Sequence, residues 1–271
     1  MATTRQSTPL LASERQQQVR RWLLDRGSVR VAESARAFRV SAETIRRDLR
    51  ALAEEGLASP VHGGAVLRDG VGASALGVPP VDTRALIEQR AKNAIGIAAA
   101  ARVRNGQVVV LDAGTTTLAV AHHLRQHREL TVVTNSLAIA QAAAAIPASA
   151  VYVIGGKVVP QSQSTIGPHA ERDLAQVRAD WAFLGAAAVD VDGGFTSADP
   201  YEADVKRAMI KTARQVALVV DASKFGVRRI VSFGNASDIQ FAFTTTGVPK
   251  RARRWLEDAG VEVVVCDASP R

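Results

Sequence analysis

Several short polar stretches in this 271-residue chain have residue types and spacings suited to binding an anion. Asp112-Ala113-Gly114-Thr115-Thr116-Thr117 follows an apolar run, as do Thr134-Asn135-Ser136, Gly155-Gly156-Lys157 and Asp221-Ala222-Ser223-Lys224-Phe225-Gly226. Glycine lets backbone N–H groups approach a ligand, and the start of a following helix favours negative charge. The hydroxyls and the lysines add donors suited to phosphate oxygens. Any one of these stretches reads equally well as a tight strand-to-helix turn. Several converging on one sheet edge favour a phosphate-bearing ligand.

A second set is cationic. In the run from Val29 to Asp48 the spacing predicts two helices joined by a tight turn, with Val31, Ala35 and Phe38 on one apolar face. Ser41 is placed to cap the second helix. That helix puts Ile45, Leu49 and Leu52 on one side and turns Glu43, Arg46, Arg47 and Arg50 outward. Guanidinium groups bind phosphates and guanine edges bidentately, so such a face suits the major groove of DNA. Taken alone the segment is more often a solvated surface helix; its neighbours change the reading.

The segment DPYEADVKRAMI leaves two readings open. Glu202 and Lys206 stand four apart and suit an ordinary pair on a helix surface. Alternatively, Asp199, Glu202 and Lys206 project into one pocket, where a carboxylate would bind sugar hydroxyls.

Other chemistries lack their residues. Neither GxxxxGK[ST] nor GxGxxG occurs, so nucleotide-triphosphate and dinucleotide sites are not expected. His122, His123 and His127 have no acidic partner at metal-ligand spacing and read as surface residues, so no metal and no cofactor is expected. The single cysteine, Cys266, lies in the apolar run VEVVVC and reads as a buried structural thiol.

The elements that must position these residues follow from periodicity. Strands are predicted at 107–112, 130–134, 150–154, 181–186, 215–221, 239–245 and 261–266, mostly as the continuous apolar runs of strands covered on both faces. Helices are expected at 118–124, 137–145, 202–213 and 250–259, and another from about Thr83 to Ala101. Alternation of this kind predicts an α/β fold with a mainly parallel sheet. Ahead of it, a helix is expected from Ser13 to a stop at Gly27, with Val19, Trp22 and Leu23 on one face. After the arginine-bearing helix, ending near Gly56, LASPVHGGAV supplies two extended pieces around Pro60 and the His62-Gly63-Gly64 turn. Three helices and a β-turn element make a winged helix-turn-helix.

Charge divides the same way. Residues 1–68 hold 12 arginines, no lysine and 7 acidic residues, whereas the remaining 203 are nearly neutral, with 22 basic and 19 acidic. The expected organisation is a disordered stretch over 1–12, a basic binding domain over 13–68, a Gly/Pro-rich linker over 69–82 and an α/β domain over 83–271. No secretory h-region and no apolar run of membrane-spanning length is seen, so a cytoplasmic protein without a membrane partner is expected.

From about Arg15 to Val265 the chain resembles the DeoR family of bacterial transcription regulators. VSAETIRRDLRALAEEG and VHGGA carry the resemblance in the first domain; LDAGTTT, VVTNSLAIA, VIGGKVV, EADVKRAMI and DASKFG carry it in the second. Three positions depart from the family pattern: Pro60 replaces an Arg, Thr245 replaces an Asp, and the Phe usual ahead of Arg84 is missing. The resemblance implies an effector domain similar in fold to ribose-5-phosphate isomerase and a sensor for a phosphorylated sugar or related metabolite. Gly114, Thr115, Thr116 and Thr117 would lie at the phosphate, with Lys206 and Lys224 nearby. Asp112, Thr134, Asn135, Ser136, Gly155, Gly156, Asp199 and Glu202 complete the expected effector site. On the DNA side, Ser41, Glu43, Thr44, Arg46 and Arg47 are expected to read bases, while Arg50 and His62 contact the backbone. The expected partners are a double-stranded DNA operator, the effector and further copies of the chain, as a homodimer or homotetramer. The competing reading is a sugar-phosphate isomerase or transferase using Asp112, Asp199 or Glu202 as general base.

Overall fold

The structure, a computed structural model, describes residues 12–26, 28–55, 57–61, 63–67 and 88–268. Gly27, Gly56, His62, the expected linker and the start of the helix expected from Thr83 lie outside the described residues, as do residues 1–11. The chain divides into two compact units, Met1–Ile87 and Glu88–Arg271.

The first unit packs α1 (Ala12–Arg26), α2 (Val31–Phe38) and α3 (Ala42–Glu54) over one apolar centre. Val19, Leu23, Ile45 and Leu52 are all buried there, and Trp22 lies against Phe38 at 4.8 Å between ring centroids. α1 begins one residue ahead of the expected Ser13 cap. Arg39, in the left-handed region with φ 54°, closes α2, and Ser41 Oγ opens α3 by accepting the Thr44 N–H at 3.1 Å. Beneath the exposed arginines, Arg15 grips the buried Asp48 with two N–H groups, Nε at 2.6 Å and Nη2 at 3.2 Å, fixing α3 to α1.

Val29 is not the start of a helix but the centre of a short strand, β1 (Ser28–Arg30). It pairs with Ala65 in a three-stranded antiparallel sheet with β2 (Ala58–Val61) and β3 (Gly64–Leu67), in the order β1-β3-β2. A single buried β-branched residue beside a helix has no period of its own, which is why the strand is silent in sequence. Gly64 is required where β3 crosses β1, because a Cβ there would stand 2.2 Å from the Val29 carbonyl oxygen. Pro60 is exposed on β2, an edge strand, where a missing N–H is tolerated.

The second unit is built on seven strands: β4 (Val108–Leu111), β5 (Thr131–Thr134), β6 (Ala150–Val153), β9 (Ala179–Leu184), β12 (Ala213–Val219), β14 (Phe241–Thr245) and β15 (Glu262–Cys266). They correspond to the seven expected runs, and every adjacent pair is parallel in the order β15-β14-β12-β9-β4-β5-β6. On one face lie α4 (Gln89–Ala100), α5 (Thr115–His123) and α6 (Leu137–Ala143), sealing Ile95, Leu111, Val120 and Ile139. On the other lie α7 (Pro168–Ala175), α8 (Pro200–Ile210) and α9 (Lys250–Asp258), sealing Leu174, Met209 and Leu256. α4 and α5 touch backbone to backbone, since a Cβ on Gly96 would meet the Ala119 carbonyl at 2.8 Å.

Beyond the expected elements stand α7 and the short antiparallel pieces β7 (Lys157–Val159) with β8 (Ser164–Ile166), and β10 (Ala188–Asp190) with β11 (Gly194–Ser197) and β13 (Val231–Gly234). The strands among them, at three or four residues each, carry too few repeats to show a period. β6 also departs from the expectation of strands covered on both faces. It is one of the two sheet edges, with Tyr152 and Val153 exposed. Among the described residues no helix is long and apolar enough to cross a membrane.

Candidate functional site

The start and exposed face of α3 carry the residues singled out for contacting nucleic acid, apart from His62, which lies outside the described residues. Ser41, Glu43, Arg46, Arg47 and Arg50 are exposed and Thr44 is half-buried, while Ile45, Leu49 and Leu52 anchor the opposite side. Ser41 and Thr44 are joined hydroxyl to hydroxyl at 2.8 Å, so both sit at the helix start. Glu43 accepts from Arg46 at 3.2 Å and from Arg50 at 3.0 Å. The Arg46 hydrogen bond, aided by the Arg50 charge, holds the Glu43 carboxyl below the usual carboxylate range. Arg47 has no partner among the described residues. The three guanidinium groups and one carboxylate form a basic face suited to a groove lined with phosphates.

In the second unit the chain runs outward from β4 through β5 to β6, then returns to place β9 on the other side of β4. Such a reversal opens a crevice beyond the carboxyl ends of the two central strands, where ligands bind in open parallel sheets. Asp112 follows β4 and Gly185 follows β9. Asp112 accepts from the Gly185 N–H at 3.0 Å and from the Lys206 ammonium, which also donates to the Gly185 carbonyl at 3.0 Å. Both charged side chains are buried, and Lys206 lies 5.2 Å above the Phe233 ring. The expected Glu202–Lys206 surface pair is therefore not formed. Glu202 instead accepts from the Ser197 hydroxyl at 3.3 Å, and Asp199 caps α8 by accepting the Tyr201 and Glu202 N–H groups at 2.8 and 3.1 Å.

Beside this pair, Gly114 opens α5 with its backbone in an extended conformation. Thr117 turns its hydroxyl back to the Gly114 carbonyl at 2.8 Å, but the Thr115 and Thr116 hydroxyls have no partner among the described residues. Asn135 is committed to structure: its Oδ1 accepts the Ala113 N–H at 3.0 Å and its Nδ2 donates to the Thr165 carbonyl at 3.1 Å. Thr134 donates to the Leu111 carbonyl at 2.7 Å, and Ser136 caps α6. Of the three, Asn135 alone braces the chain entering α5, at Ala113. Gly156, with φ 139°, is glycine because a Cβ would lie 2.4 Å from the Ile166 carbonyl oxygen, whereas Gly155 has only a side-chain carboxylate at 3.7 Å. Lys224 stands in a 3₁₀ turn after β12, one strand beyond β9, half-buried and without a side-chain partner among the described residues. Thr245 serves that turn by accepting the Ala222 N–H at 3.1 Å.

The structure thus brings Asp112, Lys206 and the α5 start together beyond the carboxyl ends of β4 and β9, with Asn135 bracing the chain at Ala113. Gly185 and Phe233 were missed. Gly185 carried a faint signal, a glycine just past an apolar run; Phe233 carried none, lying far along the chain. Two of the histidines make contacts within the fold: His123 Nε2 pairs with Asn93 at 2.8 Å and His127 Nε2 with the Val103 carbonyl at 3.0 Å, while His122 is exposed. Desolvation lowers the pKa of both His122 and His123.

An arginine-faced helix on a winged helix-turn-helix, carried in one chain with a parallel α/β unit, defines a DNA-binding transcription regulator. Residues 15–70 match the model of the DeoR-like helix-turn-helix domain, and residues 87–246 that of the DeoR C-terminal sensor domain. The chain belongs to the DeoR family. It is 32% identical to the putative aga operon transcriptional repressor of Escherichia coli O157:H7, covering 93% of each chain. It is 34% identical to the glycerol-3-phosphate regulon repressor of Escherichia coli K12, over 89% of this chain and 93% of that one. Among solved structures, ribose 5-phosphate isomerase A from Neisseria gonorrhoeae aligns at 14% identity and a TM-score of 0.37, over 53% of this chain and 55% of that one.

Proposed function

We propose that this regulator is a repressor of carbohydrate-metabolism genes whose hold on its operator is set by a phosphorylated sugar or a related anionic metabolite. The observation that carries the reading is the start of α5, where the Thr115 and Thr116 hydroxyls are unspent beside a buried Asp112–Lys206 pair. The N–H groups of a first helical turn have no intrahelical acceptor, and with the hydroxyls they suit a phosphate. Asp112 and Lys206 then face the polar remainder of the ligand. The operator is read by Ser41, Glu43, Thr44, Arg46 and Arg47, with Arg50 and His62 on the backbone. Two copies are needed to match an inverted repeat, so the working form is a homodimer or larger homo-oligomer. Regulation requires only that the ligand bind the DNA-competent and incompetent arrangements unequally.

The Asp112 carboxylate, already accepting from Lys206 and Gly185, is poorly placed as a free general base, which favours a sensor over an isomerase. A thermal-shift screen of the full chain with sugar phosphates and their unphosphorylated counterparts tests the ligand class. A specific ligand at 100 times its Kd should stabilise the fold by about 2.7 kcal/mol. Equal shifts from phosphorylated and unphosphorylated sugars would remove the phosphate from the reading, and sustained turnover of any of them would replace the sensor by an enzyme.

A further inference from the structure

We infer that Glu43 sets DNA specificity by competing with phosphate for the arginines of its own helix. This rests on the reading of α3 as the DNA-contacting helix. Glu43, Arg46 and Arg50 lie three and four residues apart, on one stripe along the α3 surface. In the free protein the single Glu43 carboxylate receives both guanidinium groups, at 3.2 and 3.0 Å, and each of the three side chains is more than half exposed. Exposed pairs of this kind are weak and exchange readily, so they do not hold the fold together. The fold is secured elsewhere, by the buried Asp48 under Arg15 and by the Ser41 cap.

What the carboxylate does instead is electrostatic. Without it, α3 would present three guanidinium groups to any duplex, and phosphate contacts carry no sequence information. With it, a non-cognate duplex must detach Arg46 and Arg50 from Glu43 and accept a carboxylate facing its own phosphates. A cognate site returns part of that loss, because a carboxylate accepts from the cytosine amino group while arginine takes the guanine edge. A repulsive element that penalises the wrong partner more than the right one raises specificity while lowering total affinity. Arg47 is left outside the network, which makes it the guanidinium immediately available to DNA.

The test uses the full chain, fluorescence anisotropy and two duplexes, a random sequence and the region upstream of its own gene, each over a range of salt. Glu43→Gln keeps the shape and removes the charge. The expected result is an affinity for the random duplex raised about five-fold, with a log–log salt slope steeper by about 0.9, the signature of roughly one more phosphate neutralised. The upstream duplex should gain less, so the ratio of the two affinities falls. Glu54→Gln removes an equal charge from the exposed far end of the same helix and should change random-duplex affinity less than about two-fold. An unchanged or weakened random-duplex affinity in Glu43→Gln would overturn the inference, as would an equal gain in Glu54→Gln. Failure of the underlying reading is distinguishable: Arg46→Ala and Arg47→Ala would then bind both duplexes as the unaltered chain does.

Discussion

At the scale of single residues, the chain separates groups spent on structure from groups left for partners. Arg46 and Arg50 are engaged by Glu43, whereas Arg47 is not. Replacing Arg47 by Ala should therefore weaken operator binding by about 1–3 kcal/mol while ligand-induced thermal shifts are retained; parallel anisotropy and thermal-shift titrations would show it. In the second unit Asp112 and Lys206 are both buried and depend on each other. Lys206→Met leaves an uncompensated carboxylate, and a loss of about 3–5 kcal/mol is expected in urea unfolding, with much of it recovered in the Asp112→Asn, Lys206→Met double variant. The thiol of Cys266 is pushed up to about 11 by burial. The neutral thiol is thus the form the fold favours, so this contribution to stability is complete below the ordinary thiol pKa and fades as pH rises through about 11. Alkylation of the folded chain at pH 8 should run roughly a thousandfold below that of a fully ionised thiolate, since about one thiol in a thousand is then ionised. Rapid labelling without unfolding would contradict the burial.

At the scale of elements, caps and close approaches decide which helices and strands can stand where they do. Ser41→Ala removes the cap of α3 and should cost about 1 kcal/mol, read as an earlier urea midpoint for the first unit. Gly96→Ala drives a methyl into the Ala119 carbonyl and should cost about 1–3 kcal/mol in the second. Much of this layout was legible beforehand. Long apolar runs gave all seven strands of the parallel sheet, and the spacing of Ile45, Leu49 and Leu52 gave the buried side of α3. The start of α5 was legible only in part: the helix was expected from Leu118, but it opens at Thr115, because glycine and threonine after an apolar run suit a turn as well as a first helical turn. What stayed hidden depended on contacts distant in sequence. Nothing near Lys206 signals that it will choose Asp112 over Glu202, four residues away on its own helix; the choice is made by where the ends of β4 and β9 meet. Likewise Asn135 reads as a ligand donor until its oxygen and nitrogen are both seen to be taken by Ala113 and Thr165.

At the scale of the whole molecule, a basic unit that recognises DNA and an α/β unit of the family's sensor type lie in one chain. On the proposed reading, coupling needs a ligand whose affinity differs between the DNA-bound and free arrangements, and typical couplings change affinity by about 5–150-fold. By the same linkage, operator DNA must weaken ligand binding by an equal factor. The most direct test of the central claim is the affinity of the full chain for its upstream duplex, measured at fixed salt across a panel of sugar phosphates. One phosphorylated ligand should weaken binding about tenfold or more, its unphosphorylated counterpart should not, and Thr115→Ala should abolish the response without altering affinity in the absence of ligand. An operator affinity unchanged by every member of the panel, or a full response in Thr115→Ala, would contradict it.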